Sequence, residues 1–475
     1  MGGFFGVISN KKCTTDLFYG IDYHSHLGTK RGGMAVLRDD GIIKRGIHSI
    51  ESSYFRIKFE EELPDYQGNS GIGTISDTDN QPLVFESHLG RFAIVTIGKL
   101  NNKDELAREL LGKHKNFAEI TSGGINPTEL VAQIITEGSS FEDGIQLVHN
   151  SIKGSCSFLI LTDNGIIAVR DAYGRTPVII GSKTFTDDQG DICNSRAAAV
   201  ETCSFYNLGY EQEYILGPGE AVMITSDGFK QMLPPRKRLQ ICSFMWVYYG
   251  YPTSSYEGIN VDEVRFKLGY QMGQRDDTKL DTVSPIPDSG TCMAIGYAAG
   301  KGVPYRNAVV KYTPTWPRSF TPQHQSMRNL VAKMKLIPNT ELLRGKEIAF
   351  CDDSIVRGTQ LRDNVRHLYD YGTGTIHGRI SCPPILFPCE FINFSPSHSM
   401  MELIARRAIL HLEGDANANV GKYVRNDTPE HANMVEYIRK ELNLGTLKFC
   451  TVEDVVNAIG LPKESICTYC FDGVK

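Results

Sequence analysis

The sequence predicts a chain of two parts, an α+β layered domain followed by an α/β domain with a parallel sheet. In the first half, to about residue 235, short apolar β-type runs such as GGFFGVI and FAIVTIG alternate with helical patterns such as ELVAQIITEG. This mixture is typical of stacked sheets covered by helical layers. Beyond residue 255, apolar strands alternate with amphipathic helices, as in a parallel sheet built from βαβ units. The length of 475 residues suffices for two or three domains with sizeable cores.

The pattern of apolar, polar and basic residues divides the chain into four segments. Residues 1–235 form the strand-rich part, residues 236–254 a linker, residues 255–430 the α/β part, and residues 431–475 a helical segment that contains a C-x-x-C. The linker is predicted from LPPRKRLQIC, where paired prolines and a basic cluster interrupt the apolar pattern. We therefore expect two folded domains with a short connection between them.

Composition excludes several classes of partner. The net charge is −5 and no long basic run is present, so neither nucleic acid nor an anionic membrane is expected to bind. The sequence has no signal-peptide pattern and no run of about 18 apolar residues, which predicts a cytoplasmic protein. The 12 cysteines are dispersed except for Cys467 and Cys470, so a disulfide framework is not expected.

The stretch GKEIAFCDDSIVRGTQLRDNVRHLYDYG (345–372) carries the most chemical information. Ile348–Cys351 has the pattern of a short buried strand, Asp352 and Asp353 follow it, and a helical pattern begins after Gly358. Ligands of open α/β sheets bind at the carboxyl ends of strands, where a helix N-terminus offers N–H groups to a phosphate. Two carboxylates there suit sugar hydroxyls or Mg²⁺. An Asp-Asp pair alone would indicate only a solvated acidic turn, but the full string DDSIVRGT is far more specific.

A second loop has the same design. In DTVSPIPDSGTCMAIGYAAGKGVPY, an apolar strand leads into 287–291 and then into a helix that ends near Gly300 or Gly302. Donors at a helix start are again available to an anion. Taken by itself, this loop is equally compatible with a plain turn.

The string DDSIVRGT resembles the phosphoribosyl pyrophosphate (PRPP) motif of type I phosphoribosyltransferases. The resemblance implies that Asp352 and Asp353 hold the ribose 2′- and 3′-hydroxyls. It implies that the 5′-phosphate is wrapped by Ser354, Val356, Arg357, Gly358 and Thr359. The second loop is similar to the pyrophosphate loop of the same fold, formed here by Asp288, Ser289, Gly290 and Thr291. Mg²⁺ would be held through Ser289, Asp352 and Asp353.

Further strings narrow the resemblance to glutamine PRPP amidotransferases, or amidophosphoribosyltransferases. They are Ile286–Tyr305, Gln325–Pro338, Glu347–Thr359 and Ser381–Phe391, and the resemblance extends over essentially the whole chain. This family starts purine synthesis by replacing the pyrophosphate of PRPP with ammonia. The resemblance implies an N-terminal-nucleophile (Ntn) hydrolase-like αββα sandwich followed by an α/β type I phosphoribosyltransferase domain. It also implies a homotetramer and purine nucleotides as effectors.

One segment departs from the family pattern. KYTPTWPRSF (Lys311–Phe320) stands where the family has a flexible loop that closes over PRPP, and Lys311 is expected to bind PRPP as its counterpart does. The family's Asn/Ser-Arg-Tyr is replaced here by Tyr312, Thr313 and Pro314, with one residue inserted, so loop closure or the ammonia path would differ. Arg328, Lys333 and Lys335 match basic family positions, although an exposed helix face explains them equally well.

The N-terminal strand lacks the family's nucleophile. In the family, the mature chain begins Cys-Gly-Val-Phe-Gly, and the terminal cysteine attacks glutamine with its own α-amine as the base. Aligning Gly3, Phe5 and Gly6 with this pattern puts Gly2 at the nucleophile position. Cys13 is disfavoured as a substitute, because cleavage before it would remove the strand itself.

Other glutaminase features are also changed. The family's Arg-Tyr-Ser-Thr glutamine clamp reads 71-GIGT-74, and its His-Asn-Gly-Asn-Leu oxyanion motif reads 96-TIGKL-100, which puts Ile97 in place of the oxyanion asparagine. The aspartate expected to hold the glutamine amine falls near Asn126-Pro127, and Leu27 replaces an arginine. Loss of one oxyanion donor typically costs about 10²–10³ in rate. The sequence therefore predicts a first domain that keeps its shape and has lost glutamine hydrolysis.

The cysteines near the C-terminus predict a metal site. CTYCFDG (Cys467–Gly473) has a spacing that suits a metal ion. One branch of the family carries a four-cysteine [4Fe–4S] cluster, and the resemblance maps its ligands onto Cys242, Cys389, Cys467 and Cys470. Four thiolates suit Fe–S or zinc, and the resemblance favours a structural Fe–S cluster over zinc. Four ordinary buried thiols are the alternative.

These features leave three functions open. The first is a transferase that uses PRPP and either free ammonia or ammonia supplied by a separate protein. The second is a catalytically inactive paralogue that binds PRPP or purine nucleotides and regulates a full-length amidotransferase. The third retains glutamine use through an unconventional nucleophile.

Overall fold

The computed structural model describes residues 2–121, 123–312, 336–392 and 399–475. Most of the 311–320 segment, together with Arg328, Lys333 and Lys335, lies outside these described residues. None of the helices in the described ranges combines the length and the apolar character needed to cross a membrane.

The N-terminal half is built from strands that run through the chain up to Leu233. They are β1 (Gly2–Ser9), β2 (Arg31–Arg38), β3 (Ile43–Ser49), β4 (Gly68–Ser76), β5 (Leu83–Ser87), β6 (Gly90–Leu100), β7 (Ile120–Thr121), β8 (Gly124–Ile125), β9 (Gly154–Thr162), β10 (Gly165–Val169), β11 (Ile179–Thr186), β12 (Ile192–Ala199), β13 (Glu211–Ile215), β14 (Ala221–Ile224) and β15 (Phe229–Leu233). The helices are α1 (Thr14–Asp22), α2 (Phe55–Phe59), α3 (Lys103–Gly112), α4 (Pro127–Ile135), α5 (Phe141–Ser151) and α6 (Cys203–Tyr206), with a 3₁₀ turn over Glu60–Asp65.

Two antiparallel sheets face each other in this half, in the orders β13-β11-β12-β1-β4-β2-β3 and β15-β14-β10-β9-β6-β5. Alternate residues of β1 face opposite sides, as strand geometry requires. Phe4 packs between the sheets with Ile72 and Ile97. Phe5 packs outward against Leu17 of α1. Helices α4 and α5 cover the second sheet. This arrangement confirms the predicted αββα sandwich.

The C-terminal half contains a parallel sheet in the order β19-β22-β23-β24. The strands are β16 (Ile241–Cys242), β17 (Ser255–Tyr256), β18 (Ile259–Asn260), β19 (Thr282–Pro285), β20 (Val309–Lys311), β21 (Leu336–Pro338), β22 (Glu347–Asp352), β23 (Thr375–Ile380), β24 (Leu447–Phe449) and β25 (Ile466–Cys467). The helices are α7 (Val261–Arg275), α8 (Thr291–Lys301), α9 (Thr340–Leu343), α10 (Thr359–Asp370), α11 (Ile404–Glu413), α12 (Val420–Val424), α13 (Pro429–Glu441), α14 (Val452–Ile459) and α15 (Tyr469–Asp472). The predicted α/β domain with a parallel sheet is therefore confirmed.

The connection between the halves is exposed over residues 234–238 and largely buried from Gln240 onward. Strand β16 pairs in parallel with β25 near the C-terminus, so that Cys242 lies opposite Cys467. A π-helical turn over Met245–Tyr249 comes next, and Trp246 within it has no exposed surface. The paired prolines and basic cluster thus precede a segment that packs into the main core.

Candidate functional sites

The two predicted phosphate loops begin side by side. β19 and β22 are parallel neighbours with Pro285 opposite Cys351, so the loops after these strands leave the same edge of the sheet. Ser289 of the first loop donates a hydrogen bond to Asp352 Oδ1 of the second, at 3.4 Å. The backbone N–H of Asp353 also donates to Asp352 Oδ1, at 2.9 Å. The predicted Mg²⁺ ligands therefore lie together at the carboxyl end of the sheet.

The two aspartates lack a strong opposing charge in the described part of the protein. Burial raises the pKa of Asp352, and the neighbouring Asp353 carboxylate raises it further. Burial also raises the pKa of Asp353, whose side chain is 6% exposed, against the opposing effects of Ser354, Ser289 and the Arg265 charge. Two carboxyl groups held in this way suit a divalent cation or hydroxyl donors.

Glycine is required in both loops for steric reasons. A Cβ on Gly290 would lie 2.1 Å from the backbone oxygen of Cys351, which no side chain tolerates. Gly358 has φ of 73°, in the left-handed region, immediately before α10. No described side chain caps the N-terminus of α8 or α10, and neither helix has an acidic residue in its first turn. The first N–H groups of α10 can therefore serve an anion, whereas the N–H of Thr291, the first residue of α8, already donates to the backbone oxygen of Asp288 at 3.2 Å.

Lys311 and Arg357, the two basic residues predicted to bind PRPP, each form an ion pair within the chain. Arg357 Nη2 lies 2.6 Å from the carboxylate of Glu402. Lys311 forms an ion pair with Asp288, which itself belongs to the predicted pyrophosphate loop. All four side chains retain solvent exposure. Thr359 is exposed at the start of α10, while Val356 accepts a hydrogen bond at its backbone oxygen from the N–H of Ile404.

The N-terminal strand leaves little room for a nucleophile at its start. A Cβ on Gly2 would lie 2.6 Å from the backbone oxygen of Ile75 in β4. A Cβ on Gly3 would lie 2.7 Å from Leu27 Cδ1 and 2.8 Å from His24 Cδ2. The glycines of this strand therefore allow a close approach between β1 and its neighbours.

The other positions that align with the family's glutamine site have structural roles in this chain. Ile97 is 5% exposed and belongs to the core between the sheets. The segment that aligns with the glutamine clamp is the part of β4 that pairs with β1 and β2. Asn126 caps α4, because its side chain accepts a hydrogen bond from the N–H of Thr128 at 2.8 Å. Cys13 is 3% exposed, and burial raises the pKa of its thiol.

The four predicted cluster cysteines line one cavity. Its wall contains Cys242, Cys389, Cys467 and Cys470 together with Arg175, Phe244, Phe391, Ile392 and Tyr469. The Cys389 sulfur accepts backbone hydrogen bonds from Phe391 and Ile392, each at 3.4 Å. Burial raises the pKa of Cys242 and Cys470, and the other cysteines of the cavity raise both further. Within the described ranges, no group of three or more Cys, His, Asp or Glu is arranged so that it could hold a metal ion.

Several residues that shape these sites carry no sequence signal. Glu402 lies 45 positions from Arg357, in a 3₁₀ turn over Met400–Glu402 that precedes α11, and only the tertiary fold brings the two residues together. Lys99, in the segment that aligns with the oxyanion motif, donates to the backbone oxygen of Cys389 at 2.8 Å across the two halves. Arg175 reaches the cysteine cavity from the turn after β10. Each of these contacts depends on long-range packing, which local patterns do not encode.

Comparison with known proteins reveals similarity along the whole chain. A glutamine amidotransferase domain model matches residues 71–192. The amidophosphoribosyltransferase of Methanocaldococcus jannaschii is 30% identical, and the match covers 100% of this chain and 97% of that protein. The amidophosphoribosyltransferase of Bacillus subtilis is 29% identical, with 99% of this chain and 93% of that protein covered.

A solved structure is also similar to this chain over nearly its whole length. It is a glutamine PRPP amidotransferase from B. subtilis in complex with ADP and GMP, with 28% sequence identity and a TM-score of 0.83. The match covers 99% of this chain and 96% of that chain.

Proposed function

Because the chain belongs to the amidophosphoribosyltransferase family, we propose that its C-terminal half transfers ammonia to PRPP while its N-terminal half does not hydrolyse glutamine. The ammonia is free or comes from a separate protein. The observation that carries this proposal is a contrast between the two sites. Ser289, Asp352 and Asp353 converge at the transferase edge, whereas Gly2 has no side chain and no space for one.

The transferase residues fit PRPP and Mg²⁺. A hydroxyl and two carboxyl groups supply the oxygen ligands that Mg²⁺ prefers, so Ser289, Asp352 and Asp353 would hold the ion. When bound, Mg²⁺ would neutralise charge on the departing pyrophosphate. The chain itself would orient the ribose through the aspartates and the phosphates through the N–H groups at 288–291 and 354–359. Lys311 would contact PRPP after leaving Asp288.

The loss of glutamine hydrolysis is supported by several independent changes. Gly2 cannot act as a nucleophile, and Ile97 cannot donate a hydrogen bond to an oxyanion. Cys13 is an unsuitable replacement, because it lies in the core beneath α1 and the nucleophilic form of a cysteine is its thiolate. The domain retains its sandwich with these positions filled by structural side chains.

We also propose that the four cysteines hold a [4Fe–4S] cluster. A single zinc ion binds sulfur at about 2.3 Å, which would bring its four thiols within about 4 Å of one another. A cluster instead places each thiolate on a separate iron. Four cysteines around one cavity can supply the four thiolates that such a cluster takes. The N–H donors to Cys389 are also typical of cluster ligands.

The proposed domain division uses the predicted boundaries, 1–235 and 255–430 with 236–254 between them. It is supported by the two antiparallel sheets, which end at Leu233, and by the parallel sheet, which begins at Thr282. The segment 431–475 contributes β24 to the parallel sheet and two cysteines to the cavity.

A regulatory role without turnover is the second candidate. It is favoured by the ion pairs Arg357–Glu402 and Lys311–Asp288. In these pairs, carboxylates of the chain itself already bind the two basic side chains that are predicted to bind PRPP. The related B. subtilis structure is a complex with ADP and GMP. In this candidate, a nucleotide rather than PRPP would break the two pairs, and the protein would act on a full-length amidotransferase.

The transferase proposal is tested by incubating the purified protein with PRPP, Mg²⁺ and ammonium chloride at alkaline pH. We expect pyrophosphate release that depends on all three components. PRPP binding without any release would contradict the transferase and favour the regulatory candidate.

Replacing Cys389 by serine tests the cluster proposal. We expect anaerobically reconstituted wild-type protein to contain iron and sulfide in equal amounts, and C389S to contain at least tenfold less, because one thiolate ligand is lost. Iron and sulfide analysis together with visible absorbance measures the difference. Cys203→Ser is the matched control, since Cys203 is buried beside Glu201 and away from the cavity. Equal iron in C389S and wild type would contradict the assignment.

A further inference from the structure

Arg175 belongs to the N-terminal half but faces the cysteine cavity. It lies in the turn after β10, and its side chain lines the cavity beside the four cysteines. The side chain is only 3% exposed. Its backbone oxygen accepts a hydrogen bond from the N–H of Cys242 at 3.1 Å. Both the backbone and the side chain of Arg175 are therefore tied to the cavity.

Two donor nitrogens of the Arg175 guanidinium group make no hydrogen bond to an oxygen or nitrogen atom of the described residues. Nη2 donates to Gln240 Oε1 at 3.2 Å. Nε and Nη1 are buried and have no oxygen or nitrogen acceptor among the described residues, and the side chain of Arg175 faces the thiol of Cys467. The group also stacks on Phe391, with its central carbon 3.6 Å from the ring centre. A buried guanidinium group whose donors face only a thiol is poorly satisfied, because a thiol is a weak acceptor, so a stronger acceptor in the cavity would stabilise it.

A cysteine-bound cluster would supply that acceptor. Four thiolates around a [4Fe–4S]²⁺ core leave two uncompensated negative charges, and burying them without a counter-charge is unfavourable. Arg175 provides one positive charge and two N–H donors at the cavity wall.

We propose that Arg175 is a positioning residue for the cluster, which donates its Nε–H and Nη1–H to the cluster sulfurs and thereby raises the reduction potential and slows iron loss. This inference rests on the proposed [4Fe–4S] assignment. Hydrogen bonds to sulfur and nearby charge both favour the more negative, reduced state. The proposal also gives the N-terminal half a role in holding a group whose ligands all lie outside residues 1–235.

The test compares the full-length, anaerobically reconstituted wild type with Arg175→Gln, Arg175→Lys and Arg238→Gln. Arg238 is the matched control, because it stacks on Tyr173 at 5.5 Å, as Arg175 does at 4.7 Å, but is exposed and lies outside the cavity wall. We expect the reduced-to-oxidised ratio of R175Q, at the midpoint potential of the wild type, to be at least tenfold lower, which is about 59 mV for a one-electron couple. Iron release to a chelator should also be faster.

Each outcome decides the proposal. R175K keeps the positive charge but loses the planar set of guanidinium donors, so a smaller shift of the reduction potential in the same direction is expected. R238Q should have the wild-type potential. A purely structural stacking role would alter thermal stability without moving the potential. R175Q that loads iron and has the wild-type potential would overturn the role of Arg175 and leave the cluster intact. If R175Q does not fold, a wild-type potential in R175K overturns it equally. A wild type that takes up no iron would remove the cluster and this inference together.

Discussion

Replacing Asp353 by asparagine is expected to lower ammonium-dependent pyrophosphate release by on the order of 10³-fold, through loss of a carboxylate that we propose to hold both the ribose and Mg²⁺. The same change should not destabilise the protein. Burial raises the pKa of this carboxyl above its ordinary value, so its ionisation opposes folding at neutral pH. A carboxyl group whose pKa is higher in the folded state than in the unfolded state does not change the stability at pH values below its unfolded pKa. At pH values above that pKa, it destabilises the folded protein. Asparagine removes that cost and still accepts the hydrogen bond that the Ser354 hydroxyl donates to Asp353 Oδ1.

The measurement is the initial rate of pyrophosphate release together with the thermal unfolding temperature. Asp363→Asn is the matched control, since this exposed aspartate lies on α10 and pairs with Arg362. We expect D363N to keep the wild-type rate. A D353N variant with more than a tenth of the wild-type rate would contradict the assigned role, as would a large loss of stability.

Replacing Glu201 by alanine is expected to cost about 3–5 kcal/mol of stability, the typical effect of removing one partner from a buried charged network. Glu201 has no exposed surface. It accepts hydrogen bonds from Tyr256 at 2.6 Å and Ser254 at 3.1 Å, and His26 Nε2 lies 3.0 Å from it. These partners come from both sides of the connection between the halves. The variant would leave buried donors unpaired on each side.

The effect of Glu201 should depend on pH. Burial opposes its ionisation, but His26 and the hydroxyl donors outweigh burial and lower its pKa from 4.5 to about 2. Its contribution is therefore complete above about pH 4.5 and disappears as the pH falls through about 2. Urea unfolding followed by near-UV circular dichroism, at neutral pH and at pH 3, measures the difference between wild type and E201A. Glu86→Gln, at an exposed pair with Arg91, should change stability by no more than about 0.5 kcal/mol. An equally small effect of E201A would contradict the network.

The parts of the sites that the sequence predicted are the ones encoded by local patterns. A strand, two aspartates, a left-handed glycine and a helix succeed one another at 347–370, and the structure has them in that order. Parallel pairing of β19 and β22 then brings the second loop alongside, which the βαβ texture already indicated. The four cysteines were predicted from their positions in the family pattern, and they meet in one cavity.

The remaining features depend on packing between distant segments. Arg175 appears in the sequence as a basic residue in a turn, and only the fold brings it to the cysteines. Glu201 gives no signal either, because Ser254, Tyr256 and His26 lie 53, 55 and 175 positions from it in the chain. The predicted linker proved to pair with β25 and to bury Trp246. Paired prolines and a basic cluster indicate a break in an element, but they carry no information on how the next segment packs.

The contrast between the two halves is tested most directly by giving the purified protein PRPP and Mg²⁺ with either ammonium or ¹⁵N-amide glutamine, and measuring pyrophosphate and glutamate in the same samples. We expect pyrophosphate with ammonium, and neither product with glutamine, because Gly2, which aligns with the family's nucleophile, has no side chain and no space for one. Glutamate formed from glutamine by homogeneous protein, or pyrophosphate released only with glutamine, would contradict the account.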